Sequence, residues 1–223
     1  MTLAPFPATP RAPARAPPPE TGSPMPSASA ASRPAITGTR VLYEGWARYL
    51  LAELRLPDGR TVTREVEDHG RAVAVLPYDP DRRTALLVRQ FRAPVALTGA
   101  AEDLLEAPAG RLDEADPADC ARREAFEEVG VHLAELEPLG RVHAMPGIST
   151  EVLDLYLAPY AAADRAGEGG GLAEEDEAIT VVEVPLAGLA RMADSGALPD
   201  LKTLVLVQTL RLRRPDLFAD GQA

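Results

Sequence analysis

Three glutamates stand close together in the middle of the chain, at Glu124, Glu127 and Glu128. Residues 118–129 predict a helix, and residues three or four apart on a helix are neighbours on its surface. These acids fall at its C-terminal end, where the helix dipole is negative and cations are preferred. Glu124 and Glu128 also repel each other by about 0.2–0.5 kcal/mol. Carboxylates on one helix face suit a hard divalent cation such as Mg²⁺, so the spacing indicates a metal-binding turn.

The same acids have a simpler interpretation, which is a solvated acidic face. Arg123, four residues before Glu127, neutralises only part of their charge. Acids that break a local rule without visible compensation are expected at functional sites, and a second acidic cluster follows in the glycine-rich loop 161–178. A merely solubilising role is the alternative for that cluster, which comprises Glu174, Glu175, Asp176 and Glu177.

Local signals define the ends of the central helix. Asp116 is placed to cap it, Pro117 suits its first position, and Gly130 suits the left-handed conformation at its C-terminal end. Two further helices are predicted at 185–195, stopped by Gly196, and at 201–214, capped by Asp200.

Apolar runs on both sides of the central helix predict strands. They are a hairpin over 51–68 that turns at Pro57, Asp58 and Gly59, and runs at 72–77, 84–88, 141–144, 152–158 and 179–184. Strands around a central helix, with helices at the end, predict an α/β fold in which a mixed sheet is sandwiched between helices.

The first forty residues differ from the rest of the chain. They hold ten of the 22 prolines and almost no periodic hydrophobicity, so they cannot sustain a helix or a central strand. We therefore expect a disordered Pro- and Ala-rich tail over residues 1–40 and one folded domain over residues 41–223. The Arg, Ser and Ala content leaves an organelle transit peptide as the alternative for the tail.

Composition excludes several classes of function. A net charge of −11 argues against a general nucleic-acid or anionic-membrane binder, because both partners are polyanions. The single cysteine, Cys120, cannot form an intrachain disulfide or a cysteine-rich zinc site. No run approaches the ~18 apolar residues of a membrane span. These features predict a cytoplasmic protein without nucleic-acid or membrane partners, and they allow a small anionic substrate held by local arginines.

The segment GRLDEADPADCARREAFEEVGV, residues 110–131, resembles the signature box of the Nudix hydrolases. That box reads Gly, five residues, Glu, seven residues, then Arg-Glu-U-x-Glu-Glu-x-Gly-U, where U is a bulky apolar residue. Its second half is intact here in Arg123, Glu124, Glu127, Glu128, Gly130 and Val131. The first half departs from it: Asp116 replaces the Glu, and six residues separate Asp116 from Arg123. We interpret Asp116 as the helix cap rather than as a ligand.

Segments outside the box resemble the ADP-ribose pyrophosphatase and GDP-mannose hydrolase branch of that family. They are REVEDHG, LLVRQFR, LLEAPAG, PGISTE, GEGGGLAEEDEAI and DLKTLVLVQTL, and the resemblance covers about residues 41–214. It implies a Nudix α/β/α sandwich, a Mg²⁺ cofactor for which Mn²⁺ could substitute, and a homodimer whose N-terminal strands, over 41–70, are exchanged. It also implies hydrolysis of a nucleoside-diphosphate sugar, GDP-mannose or ADP-ribose, to a nucleoside monophosphate and a sugar phosphate.

The resemblance further implies roles for the acids. Glu124, Glu128 and the backbone carbonyl of Ala109 would bind the metal, joined by the loop residue Glu177. Glu175 would activate the attacking water, with Asp176 able to replace either loop acid. Glu127 would lie beside the metal ligands, oriented by Arg123. Gly169, Gly170 and Gly171 suit a flexible approach to that loop.

Positive charge for the diphosphate is predicted at Arg92 and Arg89, because an arginine fork matches phosphate geometry. Arg64 is predicted to reach the partner subunit's site, and Glu151, in PGISTE, to contact substrate. Glu106 is expected to hold Arg92 or the loop of the box. A surface ion pair is the alternative for each arginine taken alone.

Two other functions compete with hydrolysis of a nucleotide sugar. One is a non-catalytic module that binds nucleotide sugars, which the intact acids of the box argue against. The other is a house-cleaning pyrophosphatase for nucleoside triphosphates, which the segments outside the box argue against.

Overall fold

The computed structural model describes residues 33–100, 103–112, 116–172 and 178–219. These ranges contain ten strands: β1 Ala35–Glu44, β2 Arg48–Arg55, β3 Thr61–Asp68, β4 Arg71–Asp79, β5 Thr84–Phe91, β6 Asp103–Glu106, β7 Ala109–Arg111, β8 Glu137–His143, β9 Val152–Pro159 and β10 Ile179–Pro185. The α-helices are α1 Ala93–Leu97, α2 Pro117–Val129, α3 Leu186–Ser195 and α4 Leu201–Arg213. No helix within these ranges combines the length and the apolar character needed to cross a membrane.

The first three strands form a separate antiparallel sheet in the order β1-β2-β3. The predicted hairpin is present, and Gly59 takes a positive φ of 85° in its turn. Strand β1 begins at Ala35, inside the segment predicted as tail, and pairs with β2 from Ala35 opposite Arg55 to Glu44 opposite Arg48. The boundary predicted at residue 40 is therefore too late. Residues 35–44 contain no proline, so every position of this strand can pair.

The main sheet is mixed, with a central path β10-β5-β4-β9-β8. Strand β9 runs parallel to β4, and the other pairs are antiparallel. Strands β4 and β5 pair only beside their turn, at Tyr78–Ala85 and Asp79–Thr84. Beyond that point β6 pairs with β5 and β7 pairs with β4. The β6–β7 segment therefore fills a split in the middle of the sheet.

Helices cover both faces of this sheet, which confirms the predicted α/β/α sandwich. On one face α2 buries Cys120, Ala121, Ala125 and Val129 against β4 and β5. On the other face α3 and α4 bury leucines against the alternate residues of the same strands. Because side chains of a strand alternate between faces, each central strand contributes to both cores.

The predicted helix ends are confirmed. The side chain of Asp116 accepts a hydrogen bond from the amide of Ala118, and Gly130 closes α2 with a φ of 68°. Asp200 caps α4 by accepting from the amide of Thr203, and Gly196 ends α3 with a φ of 76°.

Candidate active site

The last turn of α2 brings acidic side chains to the interior. Glu124 is 8% exposed and Glu128 is 3% exposed, whereas the side chain of Glu127 retains 21%. Glu124 and Glu128 are buried because the apolar side of α2 packs on the sheet and carries them against β7. A solvated acidic face is therefore wrong for these two residues.

The backbone of β7 lies in contact with both buried carboxylates. The amide of Ala109 donates to Oε2 of Glu128 at 3.1 Å. A Cβ on Gly110 would lie 2.0 Å from Oε1 of Glu124, so glycine leaves room for the carboxylate in this position. The structure thus brings together Ala109, Glu124 and Glu128, the three described residues of the predicted metal site.

This donor set suits a hard divalent cation. Mg²⁺ is commonly held by one or two carboxylates together with waters, and backbone carbonyls are hard oxygen ligands of the same kind. No cluster of three or more His, Cys, Asp or Glu side chains arranged for a metal occurs within the described ranges. The candidate site consists of Glu124 and Glu128 with the backbone of Ala109, which are in contact with one another through β7. Glu175 and Glu177, the predicted loop acids, lie outside the described residues.

Arg123 compensates the charge of this turn. Its guanidinium donates to Glu127 at 2.7 Å and to Glu124 at 2.6 Å. Partial burial lowers the pKa of Arg123, but the charges of Glu124 and Glu127 outweigh this effect, and the pKa is raised above its usual value. The arginine contacts Glu127, as predicted, and also holds Glu124.

The glycine segment 167–171 supplies hydrogen-bond donors to the backbone carbonyls at the end of α2. The amides of Gly170 and Gly171 donate to the carbonyls of Glu128 at 2.9 Å and of Glu127 at 3.1 Å. A Cβ on Gly169 would lie 2.5 Å from the carbonyl oxygen of Glu128, so the segment packs directly on the helix end. The sequence predicts these glycines as a flexible approach to the acidic loop; in the structure the amides of Gly170 and Gly171 are hydrogen-bonded to the last turn of α2.

A cavity of about 910 Å³ opens beside Glu124. Its wall includes the predicted residues Arg92, Ala109, Arg123, Glu124 and Glu151, together with Trp46, Gln90, Gly110, Arg111, His143, Asp200 and Lys202. Neither Arg89 nor Arg64 lines it. Arg89 is exposed at the end of β5, and Arg64, on β3, donates to the carbonyl of Thr63 at 2.8 Å. The structure does not bring these two arginines into the cavity of their own chain.

Arg92 is half-buried and belongs to a charge network centred on the buried Glu106. Its guanidinium donates to both carboxylate oxygens of Glu106, at 2.7 and 3.0 Å. Glu106 therefore holds Arg92, which is one of the two roles predicted for it. Lys202 also donates to Glu106, and to Asp200 at 3.1 Å. The hydrogen bond to Glu106 raises the pKa of Arg92. Burial alone would raise the pKa of Glu106, but Arg92 and Lys202 outweigh it, and the pKa is lowered.

Lys202 is a cavity residue that the sequence interpretation missed as a site residue. It lies in the first turn of α4, near the positive end of that helix, where cations are disfavoured. Its charge is unfavourable for its helix end, as are the charges of the acids in the last turn of α2. The same reasoning could therefore have singled it out, as a cation that breaks a local rule.

The cavity thus carries both signs of charge. Arg92 and Lys202 line it on the β5 and α4 side, and Glu124 lines it at the end of α2, where Glu128 is buried against Ala109. A ligand with a bridged pair of phosphates could meet the cations directly and meet the carboxylates through a divalent ion.

Comparison with known proteins agrees with this geometry. A family profile described as NUDIX domain matches residues 68–201. The chain is 39% identical over 169 residues to a GDP-mannose pyrophosphatase of Cronobacter sakazakii, covering 74% of this chain and 87% of the relative. It is 38% identical over 177 residues to a GDP-mannose pyrophosphatase of Klebsiella pneumoniae, covering 77% and 88%.

A solved structure with the same fold is also similar to this chain. The crystal structure of an ADP compounds hydrolase matches with a TM-score of 0.68 at 18% identity, and the match covers 88% of this chain and all of that chain. At this identity the likeness concerns the arrangement of strands and helices.

Proposed function

The chain belongs to the Nudix family and is a Nudix hydrolase, and we propose that it cleaves the diphosphate linkage of a nucleoside-diphosphate sugar. GDP-mannose and ADP-ribose are the leading substrates, and the products would be a nucleoside monophosphate and a sugar phosphate. One observation carries this proposal: Glu124 and the Ala109–Gly110 backbone line the same cavity as Arg92 and Lys202, and Glu128 is buried against that backbone. The relatives named GDP-mannose pyrophosphatase support the choice of substrate.

Nudix hydrolases generally depend on a divalent metal, and we propose Mg²⁺, with Mn²⁺ as a possible substitute. Glu124, Glu128, the carbonyl of Ala109 and Glu177 would hold it. When bound, such an ion neutralises phosphate oxygens and lowers the pKa of a coordinated water. The position of Glu124 and Glu128 supports this assignment, because both carboxylates lie against the Ala109–Gly110 backbone and so bring hard oxygen ligands together.

The remaining roles follow from charge and position. Arg92 and Lys202 would bind the diphosphate, with Arg92 held in place by Glu106. Arg123 would orient both Glu127 and Glu124 through its two hydrogen bonds. Glu151, in the cavity wall, would contact the substrate. Arg89 would attract it from outside the cavity.

Glu175 is proposed as the general base. Its substitution in Glu175→Gln should lower kcat more than it raises KM, since a base acts on the chemical step. Glu168→Gln, an exposed residue of the same loop, is the matched control. A variant in which only KM changes would remove the general-base role from Glu175.

We also propose a homodimer in which Arg64 completes the partner's site. Mixing Arg64→Ala with Glu128→Gln subunits distinguishes the two possible arrangements. If Arg64 serves the partner subunit, the mixed dimer contains one intact site and activity returns. If activity stays absent in the mixture while the two chains associate, Arg64 does not act across a dimer.

A substrate panel tests the proposed function. The wild-type protein with MgCl₂ should release GMP and mannose 1-phosphate from GDP-mannose, or AMP and ribose 5-phosphate from ADP-ribose. Binding of both nucleotide sugars without product would favour the non-catalytic module. Release of pyrophosphate from nucleoside triphosphates, at higher kcat/KM than either nucleotide sugar, would favour the house-cleaning pyrophosphatase.

A further inference from the structure

Thr203 lies in the first turn of α4 and is completely buried. Its hydroxyl accepts a hydrogen bond from the amide of Ala107 at 2.7 Å and donates to Oδ2 of Asp200 at 2.5 Å. The amide of Thr203 donates to the same carboxylate oxygen at 3.0 Å. One side chain therefore joins the capped end of α4 to the segment between β6 and β7.

That segment carries the backbone of the candidate metal site. It runs through the split where β4 and β5 do not pair, so the amide of Ala107 uses a side-chain acceptor instead of a strand carbonyl. The next residue, Pro108, accepts from the amide of Val75 at 2.9 Å. Ala109 follows, and its amide donates to Glu128 at 3.1 Å. The Thr203 hydroxyl is thus fixed two residues before Ala109.

We propose that Thr203 is a positioning residue for the reaction, which sets the backbone at Ala109 relative to Glu124 and Glu128 without touching substrate or metal. This inference rests on the proposed function. The position of a backbone ligand cannot be adjusted by a side-chain rotation, so it depends on the anchors of its own segment. Thr203 supplies one anchor, and its partner Asp200 also accepts from Lys202 at 3.1 Å. The hydroxyl therefore links the metal side of the cavity to its cationic side.

Three substitutions test this role. Thr203→Val keeps the shape of the side chain but leaves the buried amide of Ala107 without its acceptor. Thr203→Ser restores the hydroxyl with a smaller side chain. Thr209→Val is the matched control, because Thr209 lies two turns along α4 and its hydroxyl donates only to the carbonyl of Val205, at 2.7 Å.

The measurements are kcat and KM for the cleaved nucleotide sugar, the MgCl₂ concentration that gives half-maximal rate, and the thermal unfolding midpoint. Since a displacement of about 1 Å in a catalytic group can cost as much as 10²-fold in rate, we expect Thr203→Val to lower kcat at least about tenfold. It should also raise the half-maximal MgCl₂ concentration several-fold, at temperatures well below its unfolding midpoint. Thr203→Ser should recover most of both values, and Thr209→Val should match the wild type.

A lower unfolding midpoint for Thr203→Val, with kcat and MgCl₂ dependence unchanged, would show a purely structural role and overturn the inference. If Thr203→Val does not fold, Thr203→Ala is tested by the same kcat and half-maximal MgCl₂ concentration. The smaller alanine leaves space in which water can accept from the Ala107 amide. A wild-type protein inactive on every nucleotide sugar would instead refute the proposed function. The two failures are therefore distinguishable.

Discussion

Gly110 packs directly against the carboxylate of Glu124: a Cβ on Gly110 would lie 2.0 Å from both its carboxyl carbon and its Oε1. The φ of Gly110 is not positive, so its backbone alone would tolerate another residue. A larger residue at this position would have to displace the carboxylate, which occupies the space of a side chain. The glycine of the box, on β7, thus contacts Glu124, on α2.

Gly110→Ala should displace the carboxylate of Glu124 and lower kcat/KM by about 10²-fold, while the fold survives. Gly38→Ala, on a strand of the separate N-terminal sheet with open space around it, is the control. Steady-state kinetics and the unfolding midpoint measure the two effects. Equal activities of the two variants would show that the position of Glu124 does not matter for turnover.

Glu128→Gln should remove most turnover and leave the protein folded, because glutamine can still accept from the amide of Ala109 but carries no charge. The rate should fall by at least about 10²-fold, as for loss of a metal ligand or its partner. Asp119→Asn removes an exposed carboxylate from the other end of the same helix and should be nearly neutral. Near-normal turnover in Glu128→Gln would remove the metal assignment.

Gly169→Ala should impair catalysis beyond its effect on stability. Gly169 and Gly196 both have positive φ, 70° and 76°, so alanine introduces similar backbone strain of about 1–2 kcal/mol at each. Only Gly169 packs on the carbonyl of Glu128. We expect both variants to unfold at lower temperature and only Gly169→Ala to lose kcat. Full activity in Gly169→Ala would show that the docked glycine segment does not position the metal-binding turn.

Glu106 should make the stability of the protein dependent on pH. Its pKa in the folded protein lies below the usual 4.5, so its contribution is fully present above about pH 4.5 and is lost as pH falls through the folded value. Glu106→Gln should cost about 1.5–3 kcal/mol of unfolding free energy near neutral pH, the range for hydrogen bonds to charged groups. The difference from wild type should shrink toward pH 3.

Denaturant unfolding at several pH values checks this expectation. Glu137→Gln, which breaks an exposed ion pair with Arg213, should cost less than about 1 kcal/mol and is the control. A difference between wild type and Glu106→Gln that stays constant between pH 7 and pH 3 would contradict an ionised Glu106 in the network.

Local chemistry made α2 predictable. Asp116, Pro117 and Gly130 each favour one end of this helix by their own conformational preferences, and the structure places them there. The acids of the last turn were recognised because they conflict with the dipole. The predicted metal-binding residues Ala109, Glu124 and Glu128 meet in the structure, since the box segment folds β7 back onto α2.

Other features depend on contacts that local signals do not contain. Strands β6 and β7, of four and three residues, exist because they pair across the split between β4 and β5. Likewise, the sequence run of glycines suggests flexibility, and only the fold shows that Gly169 docks on the helix end. Thr203 is ordinary in sequence, and its proposed role depends on the amide of Ala107, which donates to the Thr203 hydroxyl at 2.7 Å.

The most direct test of the account is a crystal structure with Mn²⁺ and a non-hydrolysable nucleotide-sugar analogue, using the anomalous signal of manganese. We expect an anomalous peak within about 2.5 Å of a carboxylate oxygen of Glu124, one of Glu128 and the carbonyl of Ala109, the usual range for oxygen ligands of such ions. The diphosphate of the analogue should lie between that peak and Arg92. A metal peak elsewhere, or an analogue bound outside this cavity, would contradict the account.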